Sequence, residues 1–328
     1  MKCDALWVVE PKHLEIHPLE VRDEPNPDEV QIDVKACGLC AWDSYLFQGI
    51  SAPGPMPYTF GHEAVGIVTK VGSQVTKFKV GDKVAVCNSG KESKQMAKVV
   101  NNAAAGVTKI PDDTTDYARA VLEPTNCVVN LLTKLDIAPG DHVVLVGAGY
   151  MGMLTLQGLM HGSPAGRVTV FETRPERRKM AEALHPDCVR DPESEEGKAK
   201  VKEIYDEGGA DVVIEFSASE SGFALANQVI GHRGGKFAIG SWHRHDMTFN
   251  GTMWHMSGIT VYNLSPMSNK HYLDITDRTS LLIDKGVYDP ASLVTHIVHY
   301  RDPKLEDVFQ KSITKEDGYI KAVISFDD

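Results

Sequence analysis

His62 and Glu63 follow Gly61, and a histidine beside a carboxylate at a glycine turn is a candidate metal ligand with its own base or second ligand alongside. Upstream, Cys37-Gly38-Leu39-Cys40 is a C-x-x-C pair. Such a pair serves either as a redox dithiol or as half of a zinc ribbon, and no second C-x-x-C exists to complete a ribbon. A redox pair would open a helix inside a βαβ unit, whereas this one follows an alternating strand. Which cysteine, if any, meets a metal stays open on these residues alone. Glu123, before Pro124, reads most simply as an acid near a helix N-terminus.

A second group of residues points to a different chemistry. Gly147-Ala148-Gly149-Tyr150-Met151-Gly152 follows the apolar run from His142 to Val146 and opens a helical stretch to Met160. Its glycines suit a tight turn, close approach of backbone to a pyrophosphate and close helix packing, and N–H groups at the helix start would face the phosphates. A second strand, Arg167–Phe171, ends in Glu172, about 20 residues beyond the turn, where a ribose-binding carboxylate is expected. The charge of Glu172 favours NAD over NADP. Arg174, Arg177 and Arg178 could accommodate a 2′-phosphate, but they read as a solvated helix face with Glu176 and Glu182.

These residues need two kinds of scaffold. Residues 1–36 read as strands, with Val30–Lys35 strictly alternating, and Gly61, Gly66, Gly72 and Gly81 punctuate short strands as a small barrel requires. From Asp141 the texture changes to strands alternating with helices: a strand over 210–215, a helix from Phe223 to Ile230, then strands near 234–240 and 259–262. That order predicts a doubly wound parallel sheet, with ligands at the carboxyl ends of its strands and Ser217 beside the cofactor. Trp242, His243, Arg244 and His245 form a polar loop after one of those strands, read as a wall for a hydroxyl-rich or anionic substrate.

The 328 residues suggest two domains, at about 150 residues per domain. A net charge of −11 argues against nucleic acid or an anionic membrane as the main partner. No apolar run approaches the roughly 20 residues needed to span a bilayer. The start of the chain has no signal-peptide pattern, so cytoplasmic residence is the expectation. Six cysteines, at 3, 37, 40, 87, 127 and 188, lack the dense spacing of a disulfide scaffold.

The run Gly61-His62-Glu63-Ala64-Val65-Gly66, continued by Gly72 and Gly81-Asp82, resembles the signature of the zinc-dependent medium-chain dehydrogenase/reductase family. Gly38-Leu39-Cys40 with Asp43 matches that family's catalytic-zinc cysteine motif. The resemblance covers essentially the whole chain. It implies an α/β protein: a GroES-like β-barrel catalytic domain over 1–124 completed by 266–328, and a Rossmann domain over 125–265. Zinc would sit against the nicotinamide in the cleft between them.

By this resemblance Cys40, His62 and Glu123 are zinc ligands, with Glu123 in the place the polyol-dehydrogenase branch uses and Cys127 the competing choice. Glu63 would coordinate transiently or carry protons, and Asp43 would accept the far ring N–H of His62. Lys321 would touch the cofactor pyrophosphate. The family's structural-zinc lobe has only Cys87 to represent it, so one catalytic zinc and no structural zinc are expected. Where relatives carry Ser or Thr to begin a proton relay this chain has Trp42, which reshapes the pocket and leaves Ser44, Tyr45, Glu63 or water as the relay.

The resemblance implies reversible hydride transfer between a small hydroxylated substrate and NAD by a homodimer or homotetramer. Glu123, the missing lobe and the polar loop favour a polyol, cyclitol or sugar. Two other classes remain open: an isomerase or lyase using tightly held NAD for transient oxidation, and a non-catalytic nucleotide-sensing relative.

Overall fold

The alternation around Val30–Lys35 matures into a strand from Glu29 to Leu39, and the first part of the molecule is organised around it. In this computed structural model the described residues are 1–50, 54–87, 94–263, 265, 275–316 and 318–327. The boundary read at 266, and residues 88–93 beside Cys87 where the sequence lacks a cysteine-rich lobe, lie outside them.

In chain order the first strands are β1 (Lys2–Glu10), β2 (His13–Glu20), β3 (Glu29–Leu39), β4 (Tyr58–Thr59), β5 (Ala64–Val71), β6 (Lys83–Val86), β7 (Val99–Ala103) and β8 (Val107–Lys109). Helix α1 (Ala41–Phe47) follows β3 directly, and α2 (Glu123–Leu135) follows β8. The chain then alternates through β9 (His142–Val146), α3 (Tyr150–Gly162), β10 (Arg167–Phe171), α4 (Pro175–Glu182), β11 (Cys188–Arg190), α5 (Glu195–Asp206), β12 (Val212–Glu215), α6 (Glu220–Val229), β13 (Lys236–Ile239), α7 (Gly251–Ser257) and β14 (Thr260–Asn263). It closes with α8 (Thr276–Asp284), β15 (Val294–His299), α9 (Leu305–Thr314) and β16 (Lys321–Ser325).

Two compact units result. The first comprises Met1–Asn126, Lys270–Asp284 and Asp289–Asp328. Its seven-stranded sheet runs β15-β16-β3-β5-β6-β8, with β7 also paired to β3, and a three-stranded sheet runs β2-β1-β4. Along β3, β5 is antiparallel with Cys37 opposite Ala64, and β16 is antiparallel with Leu39 opposite Ala322. This register draws the residues just before β5, His62 and Glu63, and the residue opening β16, Lys321, to the end of β3. The core beneath includes Ile32, Phe47, Phe60, Phe309 and Phe326, all essentially inaccessible to water. Phe309 packs against both Phe47 and Phe60, with ring centroids 5.0 and 5.9 Å away.

The second unit comprises Cys127–Asn269 and Lys285–Tyr288. Its six strands run β11-β10-β9-β12-β13-β14, every pair parallel. Strand β9 is buried along its whole length, as a strand covered by helices on both faces must be. The strand order reverses between β9 and β12, the topological switch point where ligands of such sheets bind.

Candidate active site

Cys40 ends the run of β3 and caps α1 with extended backbone, so its side chain leaves the sheet at a defined angle. Its amide N–H donates to Asp43 Oδ2 at 2.9 Å, which fixes the first turn of the helix. Asp43 is wholly buried and its other oxygen, Oδ1, has no hydrogen-bond partner. That oxygen lies 3.7 Å from His62 Nδ1. One ligand atom each from Cys40, His62 and Glu63 lie within 4.8 Å of one another, a sulfur, nitrogen and oxygen set suited to zinc.

The electrostatics favour a cation at this place. Burial works against a charged His62, yet the Asp43 carboxylate, the Cys40 sulfur and Glu123 together hold the imidazole well above its ordinary range. The field that retains a proton there equally favours a dication. Burial pushes the Asp43 carboxyl up to about 6, with the His62 charge pulling the other way. Burial also raises the Cys37 thiol well above its usual range, consistent with a packed neighbour of the site. An orphaned carboxylate oxygen facing the ring nitrogen remote from a metal is the arrangement that orients a histidine ligand.

Glu123 starts α2 and is buried, and its charge acts on His62 and on Cys87. It is not a member of the close group; Glu63 takes that place instead. Glu63 is held by the fold at two points. Its carbonyl accepts from Gly38 N–H at 3.1 Å, and its Oε2 lies 2.6 Å from Lys321 Nζ. A Cβ on Gly38 would stand 1.9 Å from that same oxygen, so a side chain there would displace the Glu63 carboxylate. Gly61, at φ +93°, makes the turn into His62 with no room for a side chain against Met96.

Lys321 is placed differently from the sequence expectation of a pyrophosphate contact. It is buried, and its Nζ donates to Glu63 Oε2 and to the Leu39 carbonyl, because β16 delivers it beside the end of β3. Ser44 is likewise committed: its buried hydroxyl sits 2.6 Å from Ser312 Oγ on α9 and also bonds the Cys40 carbonyl. Trp42 lies on the exposed side of α1.

In the second unit the glycine turn has the form its sequence requires. Gly147 adopts φ +94°, and Gly152 approaches so closely that a Cβ there would stand 2.1 Å from the Gly147 carbonyl oxygen. Gly149 caps α3, and Tyr150 and Met151 form its half-buried first turn. Glu172 is buried at the end of β10 and accepts the Ala148 N–H at 2.7 Å and the Arg174 N–H at 2.9 Å. The carboxylate expected to meet a ribose is thus bonded to the backbone of the glycine turn and of Arg174.

The arginines after Glu172 are half-buried rather than lying on a solvated face. Arg178 donates to the Glu172 and Thr173 carbonyls and pairs with Asp191. An Arg177 guanidinium nitrogen lies 3.6 Å from where a Gly149 side chain would begin, and burial lowers its pKa.

His243 also departs from its expected role. Its Nε2 is 2.6 Å from Glu215 Oε2, and its ring packs edge-on against Phe223, with centroids 5.5 Å apart. A histidine so engaged is part of the unit's interior, whereas Trp242 beside it is about half exposed. Sequence reading passed over Glu215. A carboxylate closing the buried strand Val212–Glu215 was the available signal, because a buried charge demands partners.

The comparisons with known proteins agree with both units. Residues 26–133 match the family model described as alcohol dehydrogenase GroES-like domain, and residues 151–275 match that described as zinc-binding dehydrogenase. An uncharacterised zinc-type alcohol dehydrogenase-like protein of Escherichia coli is 29% identical over 93% of each chain. A sorbitol dehydrogenase of Halalkalibacterium halodurans is 28% identical over 85% of this chain and 88% of its own. Among solved structures, an Escherichia coli oxidoreductase/dehydrogenase of unknown specificity superposes over 100% of both chains with a TM-score of 0.87 and 26% identity. With a GroES-like domain, a parallel-sheet Rossmann domain and these matches in hand, the chain belongs to the zinc-dependent medium-chain dehydrogenase family and is one of its oxidoreductases.

Proposed function

We propose that this protein oxidises a secondary alcohol of a polyol, cyclitol or sugar-like substrate, reversibly, using one zinc ion and NAD. The observation that carries the reading is the close Cys40, His62 and Glu63 donor set with the unpartnered Asp43 oxygen behind His62. Bound zinc would supply Lewis acidity toward the substrate hydroxyl, and bound NAD the acceptor for its hydride. Cys40 and His62 would hold the metal, with Glu123 as the third ligand by the resemblance although it lies outside the close group and Glu63 inside it. Asp43 keeps the His62 ring in one orientation and one tautomer. Glu63, bonded to Lys321 and inside the close group, is placed to accept a proton as the substrate hydroxyl gives one up.

In the second unit the Gly147–Gly152 turn and the start of α3 would hold the pyrophosphate, and Glu172 the adenosine ribose. The carboxylate at Glu172 supports NAD over NADP. The polyol assignment draws support from Glu123 and from the sorbitol dehydrogenase relative. No structural zinc is included, since Cys87 alone cannot close a tetrahedral site. The proposal extends to a homodimer or homotetramer in the cytoplasm. The exposed edge strand β14 offers a surface for self-association, and none of the six cysteines is in a disulfide.

The test is NADH formation by zinc-loaded protein across polyols, cyclitols, sugars, amino alcohols and simple alcohols, with Cys40→Ser in parallel and zinc content measured on both. Turnover on one hydroxyl-rich class, lost together with zinc in Cys40→Ser, supports the reading. Activity that survives the substitution overturns the metal assignment. Silence across the panel, with NAD retained through purification, would favour transient-oxidation chemistry instead.

A further inference from the structure

We propose that Glu215 is a positioning residue for the nicotinamide half of the cofactor site, with His243 as the partner that holds it in place. The inference rests on the dinucleotide reading above and goes beyond it, because neither residue has a part in that mechanism.

Glu215 is the last residue of β12, beside the switch point, and is completely buried. Its Oε1 accepts the Ser217 N–H at 2.6 Å, the Ala218 N–H at 3.1 Å and the Ser217 hydroxyl. Its Oε2 meets His243 Nε2, and its backbone carbonyl accepts from Gly240 at 3.0 Å and Ser241 at 3.2 Å. One residue therefore ties the loop after β12 to the loop after β13.

The donors say what the carboxylate is for. Among the described residues the donors to its side chain come from loop residues 217, 218 and 243, and none from the body of the sheet. A buried carboxylate is costly unless fully bonded, so a site that needed only packing would be better served by an apolar side chain. What this one secures is loop shape. Ala218 is held at φ +56°, a conformation unfavourable for a residue with a Cβ. The Ser217 backbone is pressed against the glycine turn, where a Cβ on Gly147 would stand 2.8 Å from Ser217 N.

Placement assigns the half. Gly147–Gly152 and Glu172 lie at the ends of β9 and β10 and account for the pyrophosphate and adenosine. The ends of β12 and β13, the other mononucleotide half of such a sheet, remain for the nicotinamide end, and those are the two ends Glu215 joins.

The test compares full-length wild type with Glu215→Gln, His243→Gln and His243→Phe, titrating NADH by fluorescence and ADP by calorimetry, with thermal melts throughout. ADP probes the adenosine side alone. His243→Phe is expected to weaken NADH about tenfold, the scale of one lost hydrogen bond to a charged group. ADP affinity should stay within about twofold, and His243→Gln, which keeps an N–H donor, should recover most of the NADH affinity. Glu215→Gln should weaken NADH with ADP again unchanged. Equal loss of both ligands would mark a merely structural role and overturn the proposal, as would unchanged NADH binding in every variant. Wild-type protein that binds ADP but no nicotinamide dinucleotide would overturn the dinucleotide reading itself, and this role with it.

Discussion

Lys321 Nζ lies 2.6 Å from Glu63 Oε2, with both side chains buried and 258 positions apart in the chain. Removing one member of a buried ion pair leaves the other charge stranded, at a cost of about 3–5 kcal/mol. Lys321→Met should therefore lose stability on that scale in urea unfolding. Glu63→Gln combined with Lys321→Met should recover most of the loss. If the single and double variants unfold alike, the pair is not coupled.

Asp43 is expected to act on zinc through His62. Asp43→Asn keeps the shape of the side chain but removes the carboxylate that faces His62 Nδ1 from 3.7 Å. Zinc affinity, followed by competition with a chromophoric chelator, should fall about 10–100-fold, as when such outer partners are lost elsewhere. An unchanged affinity would show that His62 needs no orienting partner.

Glu172 is bonded to the Ala148 and Arg174 amides, beside the half-buried Arg177. Glu172→Ala should remove the repulsion toward a 2′-phosphate and leave the arginines to meet it. The ratio of kcat/KM for NAD to that for NADP should fall at least tenfold, about 1.4 kcal/mol. A ratio that holds steady would remove Glu172 from cofactor choice.

His142 supplies a pH dependence away from the metal site. Burial, then the charges of Arg167 and Lys200, push its imidazole down to about 4, against the opposing pull of Asp211 and Glu207. Because the folded value lies below the ordinary 6.5, the unfolded chain binds the extra proton first. The contribution is present above pH 6.5 and is lost as pH falls toward 4. Relative to His142→Gln, wild-type protein should lose about 1–2 kcal/mol between pH 7 and 5, allowing for partial solvent screening. Urea unfolding at the two pH values measures it, and a difference of the opposite sign would refute the assignment.

What could be read from the sequence divides along a physical line. The Gly147–Gly152 turn, Glu172 and the strands of both units were legible because local spacing and periodicity encode them. Cys40 and His62 were legible through the resemblance that Gly38-Leu39-Cys40 and Gly61-His62-Glu63 carry, whereas spacing alone left the choice of cysteine open. The pairing of Lys321 with Glu63 was not, because it depends on β16 settling against β3, and nothing in the pattern around residue 321 announces that neighbour. His243 was misread as a substrate wall because a polar loop looks exposed until the carboxylate at the end of β12 is seen to claim it. Arg177 was misread similarly: helix periodicity gave its face but not the glycine turn lying over it.

The first unit is assembled from three separated stretches of chain, and this has a consequence for how the protein is made. Cys40, His62 and Glu63 leave the ribosome long before Lys321, which belongs to the last strand. Until β16 is synthesised and inserts between β3 and β15, the Glu63 carboxylate lacks the Lys321 counter-charge and the second half of β3 is unpaired on the edge away from β5. The second unit is continuous apart from Lys285–Tyr288, so it can begin to fold during synthesis while the first waits. Completion of the metal-binding half therefore waits for synthesis of β16, so a product truncated before that strand would carry every proposed zinc ligand and still lack a finished site.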